Sequence, residues 1–554
     1  FLLNGKTKNL SWQTMIGYNY IDGENNTKSE QTFTSFTPVE NLVQKTFTQT
    51  TNRNFYFRTG TNYKLSKKSN LLFNYNLNLA NDRFVNESST IGTGIDYTNN
   101  SLAKNKNNNH EISLQYKTKL DTIGRTLDIV AFSNFFDKNP ITISNGLSNA
   151  MPSFYNGAVD FTLNNHYLKY DFAFPFEKIN FSFNTGGKFN ILRINNTGVY
   201  NLNTSTNSIT DFDYTENNLA FYVEARKKIK KFNFTAGIRF EDFKVDRMAI
   251  QDNSRTDINF KNTNFFPNLS ALCEINQNMN VSASYSKKIQ QADYNTLDPN
   301  NFANFDQYNT SGGNPFLDPT FFDNFELKLT AFQFVQLGGN YTITNNTNRF
   351  IFSADPNELV SKQTFQQFDK INTLSFFASF PVPLDYFFKG KEEFQKRMNN
   401  MDKMNYIFFN LNYIDFDTRG YDFEFKNKPV LNYSAQAQFI LPWEIKNTMS
   451  YFLTPKGTYE IYQIIKPIHQ FDISFNRDFL DKNLKIGLHC FDVFNTNEVN
   501  ALVSSTNLKT KFYQKPDTRT FRISLTYNFG NLKLEKENTD INTEKVKSGG
   551  GMLK

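Results

Sequence analysis

Histidine, cysteine and carboxylate side chains are where chemistry would first be sought. This chain of 554 residues holds four histidines and two cysteines. His110, His166, His469 and His489 are scattered without metal-ligand spacing. His489 stands beside Cys490, but neighbours on an extended strand point to opposite faces, so the two do not form a nucleophile–base pair. Cys273 and Cys490 lie far apart inside predicted strands, which argues against a disulfide framework. A P-loop, a dinucleotide fingerprint, HExxH and GxSxG are all absent from the sequence. Asp478 and Asp492 would need partners if buried. Phe302, Phe305 and Tyr308, in an Asn-rich stretch, offer ring faces that could stack on a ligand or on one another. The expectation is a binding protein, not an enzyme, with no cofactor and no metal.

The surroundings of these residues are more informative. Asn70–Ala80 reads NLLFNYNLNLA, with Leu71, Phe73, Tyr75, Leu77 and Leu79 apolar and Asn74, Asn76 and Asn78 between them. Strict alternation gives an extended strand one greasy and one wet face. The pattern recurs in 11–22, in 108–121 (Ile112, Leu114, Tyr116, Thr118, Leu120), in 166–176 (Leu168, Tyr170, Phe172, Phe174), in 231–246 and in 371–384. Residues 519–530 close the series, with Phe521, Ile523, Leu525, Tyr527 and Phe529 on one face and Arg522, Ser524, Thr526 and Asn528 on the other. A sheet with one apolar and one amide-rich face, repeated about twenty times, suits a transmembrane barrel with lipid outside and water inside.

Composition agrees. Hydrophobic residues make up only 39% of the chain and mean hydropathy is −0.56, lean for several packed soluble cores. Aromatics still reach 16%, from 61 Phe, 27 Tyr and 2 Trp, too many for a disordered chain and well suited to aromatic girdles. No run approaches the ~20 apolar residues of a membrane helix. The net charge of +7 is the balance of 60 basic and 53 acidic residues without a long basic tract, so nucleic acid is not an expected partner.

Connections alternate between two kinds. Ser66–Asn70, Asp121–Arg125, Glu177–Asn180, Lys227–Lys231, Asn276–Asn280 and Leu480–Asn483 are tight. Residues 22–45, 81–107, 139–162, 195–216, 246–262 and 295–319 read as long loops rich in Asn, Ser, Thr and Gly. Short turns on one side and long loops on the other are the asymmetry of outer-membrane barrels, short turns in the periplasm. The expectation is therefore an all-β transmembrane antiparallel barrel over residues 1–530, with about 20 complete strands here and about 22 in the full protein. Phe1–Asn4 reads as the tail of a strand, so one hairpin and the targeting segment are expected upstream. Residues 385–402 read as a short periplasmic helical insert with Phe387, Phe394, Met398 and Met401 at helical spacing. Residues 531–554 lose alternation and read as a disordered periplasmic tail. The glycine pair Gly186–Gly187 reads as a close-packing point in a strand.

Three passages resemble the barrels of TonB-dependent receptors, especially the outer-membrane β-barrel family common in Bacteroidetes. They are SYSKKIQQADYNTLDP at Ser284–Pro299 with its return GNPFLDPT at Gly313–Thr320, FDVFNTN at Phe491–Asn497, and the closing RTFRISLTYNFG. Gly313, Asn314, Pro315, Leu317 and Pro319 match the return motif, while Thr320 replaces its usual acidic end. The resemblance implies uptake of a scarce or large nutrient through a lumen closed by the protein's own N-terminal plug. It also implies contact with the TonB complex, and leaves room for a surface lipoprotein above the loops. From the residues alone, the two prolines stiffen the loop's re-entry into a strand, and ligand contact is the alternative. The rival functions are a passive outer-membrane channel and a barrel scaffold of a surface or secretion complex.

Overall fold

The structure is a computed structural model that describes residues 1–203, 208–251, 254–299, 307–398, 401–421, 426–505, 507–530 and 538–544. Its strands form one sheet, antiparallel except for one three-residue pairing. One half of the wall is tall: β1 (Leu2–Lys6) leads into β2 (Leu10–Phe33), β3 (Glu40–Lys64), β4 (Ser69–Gly92) and β5 (Ile95–Lys119). It continues through β6 (Thr126–Lys138), β7 (Ile141–Ser148), β8 (Met151–Phe176), β9 (Phe181–Leu202), β10 (Ser208–Ile229), β11 (Phe232–Gln251) and β12 (Ser254–Asn276). β6 and β7 form one rung interrupted at Pro140, which cannot donate to the ladder; its carbonyl still accepts from the Val159 amide at 3.0 Å.

The other half is built from shorter strands. They are β13 (Met279–Gln290), β14 (Asn309–Ser311), β15 (Thr320–Ala331), β16 (Val335–Ala354), β17 (Ser361–Lys370), β18 (Asn372–Pro383), β19 (Tyr406–Asp417) and β20 (Val430–Leu441). Then come β21 (Ile445–Thr454), β22 (Gly457–Tyr459), β23 (Tyr462–Ile464), β24 (Ile468–Phe479), β25 (Leu484–Phe491), β26 (Val499–Ser504), β27 (Leu508–Pro516) and β28 (Thr520–Tyr527). At membrane level the wall runs in chain order through β13, β15, β16, β18, β19, β20, β21, β24, β25 and β28. The remaining short strands form an upper tier, in which β2 joins β27, β27 joins β26 and β26 joins β23. Lower down, the rings of Phe1 and Phe529 meet at 6.0 Å, bringing the two ends of the wall together. This circuit of about twenty rungs is the barrel that alternation predicts.

The pleat puts alternate residues on opposite sides, and burial shows which is which. On β8, Phe161, Leu163, Asn165 and Tyr167 are buried inside the wall, while Leu168 between two rungs is 56% exposed on the outside. Phe73, Leu114, Phe189, Phe221, Ile238, Leu327 and Leu488 are likewise outward and exposed. A continuous belt of bare apolar side chains on a hydrogen-bonded sheet requires a hydrocarbon solvent. On β2 and β3 the belt ends near Tyr20 and Arg53, where the guanidinium lies 5.8 Å from the ring centroid, and above them most outward positions of these two strands turn polar. The closing-strand residues Phe521, Ile523, Leu525, Tyr527 and Phe529 lie in this belt, each between 56% and 78% exposed.

The tight turns are held locally. Asp121 Oδ1 accepts from the amides of Ile123 and Arg125 at 2.9 and 3.1 Å, and Ser66 Oγ accepts from Lys68 and Ser69 at 3.1 Å. Gly186 and Gly187 let rings cross the strand on both sides: a Cβ on Gly187 would sit 2.7 Å from Tyr170, and one on Gly186 2.5 Å from Tyr222.

Several sequence expectations need correction. Most of 22–45, 81–107, 139–162, 195–216 and 246–262 is ladder-paired strand, with only short tips between strands. Above the lipid both solvents are aqueous, so the outward positions carry Asn, Ser, Thr and Lys and the alternation fades although the strand continues. The 385–402 insert contains the helix α2 (Leu384–Met398), but Gly390 at φ 82 breaks it, and Phe387 stands 67% exposed while Phe394 meets Tyr386 at 5.7 Å. The predicted single stripe is therefore split; the side chains of Met398 and Met401 lie outside the described residues. Asp385, 1% exposed, ties this insert to the rim through the Asn405 amide at 2.9 Å and side chain at 2.7 Å. Residues 538–544 of the expected disordered tail lie inside the barrel, against β3, β4, β6, β8 and β9.

The belt makes a direct prediction. Leu168→Arg, at the lipid face, should cost about 2–4 kcal/mol in urea unfolding from lipid vesicles. Ile91→Arg, equally exposed but at the tip of β4 above the belt, should shift stability by no more than about 0.5 kcal/mol.

Candidate functional site

The inward wall changes character with height. At the top, residues 291–299 and 307–319, between β13 and β15, turn into the barrel as a cap. Its helical turn α1 (Tyr294–Leu297) and Leu317 insert against Phe161, Leu163, Leu192, Ile194, Phe212, Tyr214, Phe243 and Val245, one buried cluster. These wall residues all belong to the inward set of β8–β11, and burying them under the cap is what holds it there. The polar contacts set its register. Arg247 donates to the carbonyls of Pro315 and Leu317, both at 2.8 Å, and Asn196 donates to the Asp298 carboxylate. Gln31 donates to Asn309 at 3.1 Å, and β14 adds to the edge of β17 in parallel.

The return motif is the staple of this cap. Gly313 donates to the Asp298 carbonyl at 2.8 Å, and a Cβ there would lie 2.5 Å from that same oxygen, so the close crossing demands glycine. The Asn314 amide donates to the Thr296 carbonyl at 2.7 Å, its side chain donates to the Phe365 carbonyl at 3.0 Å, and its Oδ1 accepts from Phe316. Pro315 offers its carbonyl to Arg247, Leu317 is fully buried, and Pro319 precedes β15. Tyr308 packs edge-on to Tyr97 at 5.4 Å with its hydroxyl 3.5 Å from Ser148. Phe302 and Phe305 lie outside the described residues.

Below the cap the wall is a hydrogen-bonding surface. Tyr214 donates to Glu216 at 2.7 Å, Asn218 to Glu241 at 3.2 Å, Asn76 to Glu111 at 3.0 Å and Tyr222 to Asp171 at 2.5 Å, while Arg239 pairs with Glu241 at 2.6 Å. Lys188 lies 4.9 Å over the Tyr167 ring. Such a chamber can hold a polar solute through amides, acids and cations. Among the described residues no group of three or more His, Cys, Asp or Glu is placed to hold a metal ion. Each histidine serves the wall: His110 meets Tyr75 at 2.9 Å, His166 meets Ser133 at 3.0 Å, and His489 sits between Ser474 and Ser524 at 2.9 and 3.0 Å. The His469 carbonyl accepts from Thr496 at 3.0 Å. His489 faces Arg522 across the ladder on the inner side, whereas Cys490 lies in register with outward Phe521.

Asp492, in the FDVFNTN passage, is fully buried on the upper rim. It accepts from the Thr518 hydroxyl at 2.5 Å and the amides of Thr496 and Asn497 at 2.8 and 3.1 Å, with Lys515 at 3.4 Å. Burial alone would raise this carboxyl, but those bonds and the Lys515 charge outweigh it and hold it below the ordinary carboxylate range. The passage is thus a clasp joining β25, β26 and the approach to β28. Arg247 is the functional residue that sequence reading misses. Its parity on β11 marks it as inward, but nothing local names the carbonyls it reaches.

The profile of the outer membrane protein beta-barrel family matches residues 118–527, well over half of the chain. Among solved structures, the copper transporter OprC superposes with a TM-score of 0.54 at 9% identity, covering 90% of this chain and 83% of its own. The ferric yersiniabactin uptake receptor FyuA from Yersinia pestis gives 0.52 at 10% identity, covering 90% and 80%. Identities this low speak for a shared fold alone. No curated protein matches the sequence.

Two outcomes follow from the cap and the clasp. Arg247→Met, which strips two carbonyls of a charged donor, should loosen the cap by about 1.5–3 kcal/mol and raise protease nicking between 291 and 319 in the folded barrel. Asp492 has a lowered folded pKa, so its contribution is present at neutral pH and lost as pH falls through that value; Asp492→Asn should flatten the acid limb of thermal unfolding.

Proposed function

The chain belongs to the outer membrane protein beta-barrel family, and from this we propose that it is the barrel of a gated receptor-transporter that takes a scarce nutrient solute across the outer membrane. The observation that carries the reading is the cap. A polar chamber suited to a solute lies beneath a loop that is folded inward and buried against the wall. Capture at the rim, followed by rearrangement of what fills the lumen, gives uptake with selectivity. Coupling to TonB, and a plug contributed by the same protein upstream, belong to this proposal and rest on the motifs Gly313–Thr320 and Phe491–Asn497. A passive channel is less well supported, because an open diffusion path gives no reason to bury apolar surface of an inward-folded loop against the wall. A scaffold role would use the outside of the upper tier, where Lys28, Lys45, Phe47, Glu87 and Tyr513 line a shallow open groove.

Planar-bilayer conductance of the full gene product tests this directly. The expected result is a silent or barely conducting protein, with large steady openings once 291–319 is replaced by a short turn and any plug is deleted. Large openings in the intact protein would make it a passive channel. No conductance in either form would move the reading to a scaffold. Uptake that persists in cells lacking TonB would remove the energy coupling.

A further inference from the structure

The lower lumen holds an anomaly. Leu72 on β4 and Val130 and Phe132 on β6 point inward at a level where neighbouring inward residues are Asn62, Asn74 and Glu111. Phe132 stacks on Tyr167 at 4.9 Å, and this small apolar patch is flanked by two cations, Arg58 and Lys188. An apolar patch on a wet wall requires cover, and flanking cations select its sign. We propose that this wall is a binding site for an extended peptide bearing an apolar residue between two acids, and that its occupant is the chain's own residues 538–544, NTDINTE, held in the lumen as a tethered stopper.

The contacts run the length of the segment. Asn62 donates to the Asn538 carbonyl at 2.9 Å. The Asn74 amide, in the orientation that satisfies its neighbours, donates to the Thr539 carbonyl at 2.6 Å and accepts from the Ile541 amide at 2.9 Å. Gly60 allows this approach, since a Cβ there would lie 3.0 Å from the Thr539 carbonyl. Asp540 meets Arg58 at 2.7 Å and Glu544 meets Lys188 at 2.5 Å, while the Glu544 amide donates to the Tyr167 hydroxyl at 3.1 Å. Ile541 is 6% exposed among Leu72, Val130, Phe132 and Tyr167. Asp540 and Glu544 are each more than half exposed, so their ion pairs are weak individually. Ile541 and the amide contacts are the anchor, and the charges set direction and register. The inference rests on these contacts and stands apart from the transport reading.

The test is thiol accessibility in the full chain, with Cys273→Ser and Cys490→Ser as background. Thr539→Cys, at a position 5% exposed, is treated with a bulky polyethylene-glycol maleimide in detergent. It should react at least ~100-fold more slowly in the folded barrel than in urea. Adding Ile541→Asp, which leaves every strand intact, should speed the reaction ~10-fold or more. Arg58→Glu with Lys188→Glu should speed it less, and Asp540→Lys with Glu544→Lys should restore slow labelling to that pair. Heat-modifiable gel mobility reports that each barrel is folded. Fast labelling of the folded parent overturns the proposal. Slow labelling indifferent to Ile541→Asp overturns it as well, because the shielding would then come from elsewhere.

Discussion

In hydrocarbon, a peptide group has nothing to bond to except another peptide group. Every other property of this molecule follows from that restriction. It drives strands at membrane level to pair with their neighbours, so the wall runs in chain order from β1 to β28, whose ends meet at Phe1 and Phe529, and the outward side chains of the paired strands are apolar. Because the outside is fixed as lipid, the inside is free to be polar. The Asn, Glu, Lys and Arg residues of the inner face are the consequence. The barrel has no single core; its apolar clusters occur where something other than lipid has to be covered.

Two such clusters lie at opposite ends of the polar chamber. At the top, the inward residues of β8–β11 are apolar because the cap lies on them, and Arg247 holds the cap's carbonyls in place. Near the bottom, Leu72, Val130 and Phe132 are apolar because Ile541 lies on them. Between these, the pairs Tyr214–Glu216, Asn218–Glu241 and Arg239–Glu241 face the lumen. Any plug sharing the lumen must leave the β3–β9 wall free or displace the tail from it.

How much of this could be read from the residues depended on where a residue sat relative to the membrane. Phe73, Leu114, Leu168 and Phe521 were legible because lipid on one face and water on the other write a period of two into the chain. The tight turns at Asp121 and Ser66 were legible because their caps are local. The upper halves of β2–β5 and β8–β12 were not. With water on the outside, Glu87, Ser89 and Thr98 serve a strand as readily as a loop, and only long-range pairing decides. The motif Gly313–Pro319 was legible as a stiff return, but not its partners Asp298, Thr296 and Arg247. The docking of 538–544 was invisible, since Asp540, Ile541 and Glu544 are unremarkable until Arg58, Leu72 and Lys188 are brought beside them by strands hundreds of residues away.

Most strands of the tall half run unbroken from the tight turns to the upper tier, up to 26 residues in β8. At about 3.3 Å per residue this is about 80 Å of continuous ladder, of which a tilted crossing needs only about ten residues. A fabric of that length resists local dilation, because widening the bore at one height would shear hydrogen bonds along the whole tall half. On the proposed function, passage would then be a matter of exchanging contents, as in a cylinder whose pistons move, and not of an iris opening in that part of the wall.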